Sequence, residues 1–313
     1  MKKRILNSSI LFLSMGPINI HAQNLFVNNW GSGTVAEYGS DGSLINGSFV
    51  STSAGPFGIM FDSSGNLYMS TAEINGSADI AKYSPSGVLL EPNILFGNGG
   101  GLPGNQFPGM AFDSLGNLWV TGASYLYEIN PAGMAVQGIY VGNSFVRHIA
   151  IAPNGNIFVS RELGGSPGAV SEYSSTGSLI NATFADSSSG LLNPGAMAFE
   201  SSGNLWVTDQ DRNMLDEYDS SGTQLKTISV AALNGPEGLA IDGNGNFWVG
   251  NLNSGGNIVE INSDGNVLNI INNVPEPNDL AFQPVAVPEP SVLGLLAFSS
   301  TILLARSCRK EMK

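Results

Sequence analysis

The chain has 313 residues, 42% of them hydrophobic, with 40 glycines, a single cysteine, two histidines and a net charge of −13. That length buries a sizeable core, while one cysteine excludes a disulfide framework and any thiolate metal cluster. Between residues 23 and 286 only five Lys/Arg stand among 23 acidic residues, a charge of −18, so nucleic acid and anionic lipid are excluded as partners.

Lys2, Lys3 and Arg4 precede a moderately apolar stretch ending Ile20-His21-Ala22, the order of a secretory signal peptide over residues 1–22, cut before Gln23. Export is therefore expected. Six frames follow: Asn-Leu-Phe26-Val, Asn-Leu-Tyr68-Met, Asn-Leu-Trp119-Val, Asn-Ile-Phe158-Val, Asn-Leu-Trp206-Val and Asn-Phe-Trp248-Val. Their asparagines stand 42, 51, 39, 48 and 42 residues apart, a period that marks a repeat fold.

Each full unit places an apolar run such as Gly58-Ile-Met-Phe61 before a tight Asp62-Ser-Ser-Gly-Asn66 turn and the aromatic strand. A variable loop, a strand such as Ile80-Ala-Lys-Tyr83, a second glycine turn and a last strand such as Val88-Leu-Leu90 complete it. Asp/Ser/Asn followed by Gly tolerates the positive φ of hairpins, so the unit predicts a four-stranded antiparallel sheet. Leu118-Trp119-Val120 and Leu205-Trp206-Val207 are apolar at successive positions, which predicts burial of both faces of the strand. Sheets buried on both faces stack radially as propeller blades.

The first aromatic strand lacks an inner partner, and the last repeat is followed by an orphan inner strand, Pro277-Asn-Asp-Leu-Ala-Phe282. The expected fold is therefore an all-β, six-bladed β-propeller over residues 23–286, near 44 residues per blade, closed by its N- and C-terminal strands. Asp242-Gly-Asn-Gly-Asn246 begins like a calcium loop but lacks the glycine and glutamate that such a loop needs, and it aligns with the hairpin turns.

After the propeller, Val287-Pro288-Glu289-Pro290 leads into Ser291 to Ala305, almost without polarity, and then Arg306, Arg309, Lys310 and Lys313. A short hydrophobic helix over those 15 residues spans about 22 Å against about 30 Å of hydrocarbon, short for a permanent anchor even with arginine snorkelling. This three-part tail, residues 287–313, resembles the PEP-CTERM sorting signal of bacteria. The resemblance implies an exosortase as partner, transient inner-membrane insertion, and delivery to the envelope surface or the matrix of strains that make exopolysaccharide. The lone Cys308 lies in this tail. A second Val-Pro-Glu-Pro, Val274 to Pro277, has no apolar run behind it and aligns with the entry to an inner strand.

Propeller ligands usually meet the face where inner strands begin and aromatic strands end. Here that face carries Asn29, Glu73, Arg147, Arg161, Glu162, Arg212 and Asn251 as candidate ligand-binding residues, while the opposite turns repeat Asp/Ser/Gly. His148, the only histidine after the leader, stands beside Arg147 and is the candidate general acid or base.

The units, with Gly235-Pro-Glu-Gly-Leu-Ala-Ile-Asp242-Gly-Asn-Gly-Asn-Phe-Trp-Val249 as the fullest, resemble NHL-repeat and related six-bladed propellers, the group of virginiamycin B lyase and the gluconolactonase/regucalcin proteins. That resemblance implies a divalent ion at the channel mouth and carries over Glu237 and Asn278 as candidate ligands; Asp279 and Asp209, acidic residues of the same face, are candidates beside them, and so oxygen-rich a set suits Ca or Mg. The chain departs from the pattern by lacking a glutamate near Phe57 and by carrying Asp279 for a glycine. No nucleophile elbow, phosphate loop or dinucleotide fingerprint is present. Two functions stand open: a monomeric, non-catalytic binding or structural protein that takes a glycan (exopolysaccharide) or an envelope protein at the channel face, and a metal-dependent lyase or lactonase.

Overall fold

In the Asp62 turn, Oδ1 accepts from the backbone N–H groups of Ser64 and Asn66, both at 2.9 Å, and Gly65 takes φ +79°. The aspartate thus fixes the turn from inside while glycine supplies the left-handed residue. Asp242 does the same for Asn244 and Asn246, so that segment is a hairpin turn.

In the computed structural model these turns join strands into six sheets, described over residues 23–284 apart from 54, 73–76, 95–101, 104–108, 123, 143–144, 164–165 and 254. The leader, Glu73, and the tail with Val287, Pro288, Glu289, Pro290, Arg306 and Arg309 lie outside the described residues. No helix among the described residues is long and apolar enough to cross a membrane.

The sheets are the blades of an all-β propeller. Blades 2 to 6 have inner strands Pro56–Phe61, Met110–Phe112, Phe145–Ile151, Pro194–Phe199 and Pro236–Ile241, each followed outward by the aromatic strand and two more. Blade 2 carries an additional short strand, Leu102–Pro103, against Ser77–Tyr83. In blade 1 the strand Leu25–Asn29 lies between Thr34–Tyr38 and Pro277–Phe282, with Leu25 opposite Phe282 and Val27 opposite Leu280. Inner strands touch their neighbours all the way round the ring.

Six hydrophobic clusters fill the six gaps between blades. Phe26 lies between blades 1 and 2, Tyr68 between 2 and 3, Trp119 between 3 and 4, Phe158 between 4 and 5, Trp206 between 5 and 6, and Trp248 between 6 and 1. Each ring therefore belongs to one blade and is buried by the next. Tyr68 alone stays half-buried: Lys82 Nζ sits 5.1 Å from its ring centre, and its edge meets Phe112 at 5.0 Å. The buried indoles satisfy their N–H groups on turn carboxylates, Trp119 on Asp113, Trp206 on Glu200 and Trp248 on Asp242, whereas Tyr68 keeps part of its ring toward solvent.

Candidate functional site

The channel site begins with a backbone irregularity. In blades 2, 4, 5 and 6 the register between inner and aromatic strands slips where the inner strand enters, between Pro56 and Ile59, Val146 and Ile149, Pro194 and Met197, and Pro236 and Gly238. Blade 1 shifts at Asn28/Asn29 opposite Asp279 and Pro277. A bulge re-aims the residues it carries, here toward the axis. A hydroxyl two residues past the aromatic clips the entry of the inner strand in several blades: Ser70 Oγ accepts from Gly58 N at 2.9 Å, Thr121 Oγ1 from Gly109 N at 2.7 Å, and Ser160 Oγ from His148 N at 3.0 Å.

Two rings of residues result. The outer one holds Phe57, Arg147, Gly195, Glu237 and Asn278; the inner one holds Gly58, Gly109, His148, Ala196, Gly238 and Asp279. The inner ring is glycine or alanine except at His148 on blade 4 and Asp279 on blade 1, three blades apart and hence on opposite sides of the channel.

Glu237 is the hub. Its Oε1 lies 3.2 Å from Arg147 Nη2 and 3.2 Å from His148 Nε2, and its Oε2 accepts from Gln210 Nε2. Arg147 in turn donates through Nη1 to Asn193 Oδ1 at 3.1 Å and to Gln210 Oε1 at 2.9 Å. Glu237 spans from blade 6 to blade 4 because blade 5 offers Gly195 in between: a Cβ there would lie 2.6 Å from Thr208 Oγ1 and 3.1 Å from Glu237 Oε2.

Burial raises the proton affinity of Glu237, but Arg147, then His148 and Gln210, outweigh it and hold the carboxyl below its ordinary range. Asp279 goes the other way. Desolvation pushes it up to about 6 despite His148 and the N–H donors of Ile59 and Leu280, with Glu237 adding to the rise. Those donors reach Asp279 at 2.9 Å each. Opposite it in register, the buried side-chain amide of Asn28 has no hydrogen-bond partner among the described residues.

These residues do not fit a divalent ion. Among the described residues no three His, Cys, Asp or Glu are grouped to hold one. The acceptor oxygens of Glu237 already face a guanidinium, an imidazole and an amide. Asn278 lines the mouth, but Asp209 is not brought to it. Asp209 is fully buried and accepts from Leu192 N at 2.8 Å and Asn193 N at 3.3 Å, with Arg212 Nη1 at 3.7 Å.

Asn251 holds the matching position in blade 6 and accepts from Asn234 N at 3.0 Å, donating to Ala232 O at 2.8 Å. Both are latches for the loop that precedes their own inner strand, and Asn29, at the same position of blade 1, is buried as well. Arg212 pairs with buried Asp216 at 3.0 Å, and Arg161 donates to Ala182 O at 2.7 Å. Glu162 is exposed on the strand beside Phe145. Of the sequence candidates, Arg147, His148, Glu237, Asn278 and Asp279 converge on the channel; Asp209, Asn251 and Arg212 tie loops beside it, Asn29, Arg161 and Glu162 stay on their strands, and Glu73 and the tail lie outside the described residues.

Above these residues the mouth opens into a cavity of about 380 Å³ lined by Trp30, Phe57, Arg147, Leu252, Glu237, Glu276 and Asn278. Sequence reasoning missed Trp30 and Glu276 as lining residues, and also Gln210. Trp30 follows directly on the aromatic-strand exit at Asn29, and that adjacency was a signal; Glu276 sat inside the proline turn that was read only as structure.

No family model and no curated protein matches the chain. Solved structures do. A chain of the nidogen/laminin complex aligns with a TM-score of 0.67 at 13% identity, covering 84% of this chain and 99% of that one. A streptogramin B lyase aligns with a TM-score of 0.53 at 18% identity, over 82% of this chain and 75% of its own. Regucalcin from Agrobacterium tumefaciens, a calcium-binding protein, gives 0.57 at 16%, covering 73% and 78%. This chain has their six-bladed propeller fold. At such identities the likeness carries the fold alone.

Proposed function

We propose that the protein is an exported binding module of the cell envelope or extracellular matrix, non-catalytic and monomeric, which takes a glycan or protein ligand at the channel mouth. On this reading a PEP-CTERM tail inserts transiently in the inner membrane and an exosortase removes it, while the pairing of the terminal strands keeps the ring shut afterwards. The observation that carries the reading is the self-compensation of the channel charges. Glu237 is engaged by Arg147, His148 and Gln210, so the cluster is a preorganised polar floor beneath an aromatic-walled cavity.

A melting screen of the intact chain against Ca²⁺, Mg²⁺, Mn²⁺ and a panel of exopolysaccharides tests it. A ligand at about 100 times its Kd stabilises by about 2.7 kcal/mol, a rise of several degrees for a domain of this size. The expected result is such a rise with one glycan class and none with the ions. A rise with a single divalent ion and no glycan would reverse the assignment.

A second reading, a lyase or lactonase, is favoured by one observation. His148 and Asp279, whose carboxyl burial pushes up to about 6, stand on opposite sides of one channel as candidate acid and base. It requires that His148→Ala abolish turnover while leaving the fold and ligand affinity intact; the binding reading expects no turnover in the parent and, in the variant, at most a weakened ligand affinity.

A further inference from the structure

One carboxylate at the mouth is left over. Glu276 is half-buried, holds the left-handed φ of +49°, and its side chain has no hydrogen-bond or ion-pair partner among the described residues. It lies against Gly31, where an added Cβ would come within 3.3 Å of Glu276 Oε2, and its backbone oxygen accepts from Trp30 N at 3.2 Å. The carboxylate is thereby set beside Trp30.

Trp30 is the exposed partner. It is 46% exposed, yet its indole is seated, because a Cβ on Gly55 would lie 2.4 Å from its ring atoms. Phe57 stands next to it with ring centres 6.1 Å apart and planes tilted by 40°. The two rings and Leu252 make an apolar wall on the same cavity as Glu276. On the floor, Arg147 has Nη2 on Glu237 and Nη1 on Asn193 and Gln210, so its charge is matched by the Glu237 carboxylate. The uncompensated charge of the cavity is therefore negative, on a body that is itself strongly acidic.

We infer that the mouth binds a glycan bearing free amino groups, a de-N-acetylated hexosamine chain, with pyranose C–H faces on the Trp30–Phe57 wall and a sugar ammonium on Glu276. This rests on the binding reading above and names its ligand class. A cation beside an aromatic face gains from the ring quadrupole, and a partly desolvated carboxylate adds the ion pair. Uronic-acid polymers meet the opposite charge complementarity. A lysine side chain is the other cation that this chemistry admits; the Trp30–Phe57 pair offers an apolar face to pyranose C–H groups, which favours the sugar. The cavity, about 380 Å³, falls in the range of small-ligand sites.

Calorimetric titration of the intact chain with a glucosamine tetramer, its N-acetylated counterpart, a uronic-acid tetramer and a lysine tetrapeptide, in a slightly acidic buffer where the amines are charged, tests the inference. The glucosamine tetramer is expected to bind, with affinity that falls as salt rises. Glu276→Gln and Trp30→Ala should each weaken it by about tenfold without moving the melting temperature, and Trp30→Phe should retain most of it. If the N-acetylated tetramer binds as well or better, the ammonium assignment fails while glycan binding stands. If only the lysine peptide binds, the ligand is a protein and the inference is overturned. If none of the sugars bind, the glycan reading of the mouth falls with it.

Discussion

Replacing Trp206 with alanine is expected to destabilise the protein by about 3–5 kcal/mol and to lower its melting temperature by on the order of 10 °C. The indole belongs to blade 5 and is 2% exposed, packed with Leu233, Leu239, Val249 and Val259 and set 4.4 Å from the ring of Phe247 in blade 6. Its Nε1 reaches Glu200 Oε2 at 3.3 Å, so the polar end is satisfied as well. A tryptophan buries about 150–250 Å², and alanine leaves a gap between two sheets that cannot slide together without breaking contacts on both sides. Tyr68→Ala is the matched comparison. Its ring is half-buried and should cost clearly less. Thermal melts of the two variants read the contrast, and a Trp206→Ala melt within a degree of the parent would mean that the indoles do not hold the blades.

Much of this was legible before any coordinates, and for a definite reason. A propeller repeats one solution to one packing problem, so the requirement for a bulky ring between blades is written six times, as is the Asp-Gly turn that precedes it. Repetition turns a weak local signal into a strong one. The outward-facing residues could be assigned to a face but not to a role. Asn29, Asp209 and Asn251 were read as ligand-facing because they are polar and lie at strand exits. Asp209 and Asn251 point instead at backbone N–H groups of the preceding loop, and Asn29 is buried at the matching position. Polarity at a strand end cannot tell a latch from a ligand contact, since both need the same acceptor.

The convergence of Glu237 on Arg147 and His148 was out of reach for a related reason. It spans two blades and depends on Gly195 in the third, a residue whose contribution is the absence of a side chain. Glu276 shows the limit from the other side: its motif was correctly read as a turn, and the turn is also what holds the carboxylate at the mouth.

Asp279→Asn is expected to gain stability relative to the parent as pH rises from about 4 to 7, by about 2 kcal/mol. In the parent, desolvation in the channel raises the folded-state carboxyl to about 6, above its value in the unfolded chain. Between those two values the folded protein binds more protons than the unfolded one, so raising the pH removes stability. The cost is absent at the acid end and fully present above pH 6. Solvent reaching the channel screens part of it, hence the reduced figure. Glu237 has the opposite sign: its lowered pKa contributes stability present at neutral pH and lost in acid, which steepens acid unfolding in both proteins, while its repulsion of Asp279 is part of the cost that asparagine removes. Arg147 and His148 face the same cluster and are present in both proteins, but the attraction between His148 and the Asp279 carboxylate exists only in the parent, where it already reduces the cost. The asparagine gives up one of two acceptors, since the carboxylate takes Ile59 N on one oxygen and Leu280 N on the other. A constant penalty of about 1 kcal/mol at all pH values is therefore expected beneath the pH-dependent gain. Denaturant unfolding of the two proteins at matched ionic strength reads the difference directly. A difference that is flat from pH 4 to 7, or that shrinks as pH rises, would show that Asp279 is ionised without cost, and would take away the support that its titration lends to acid/base chemistry at this channel.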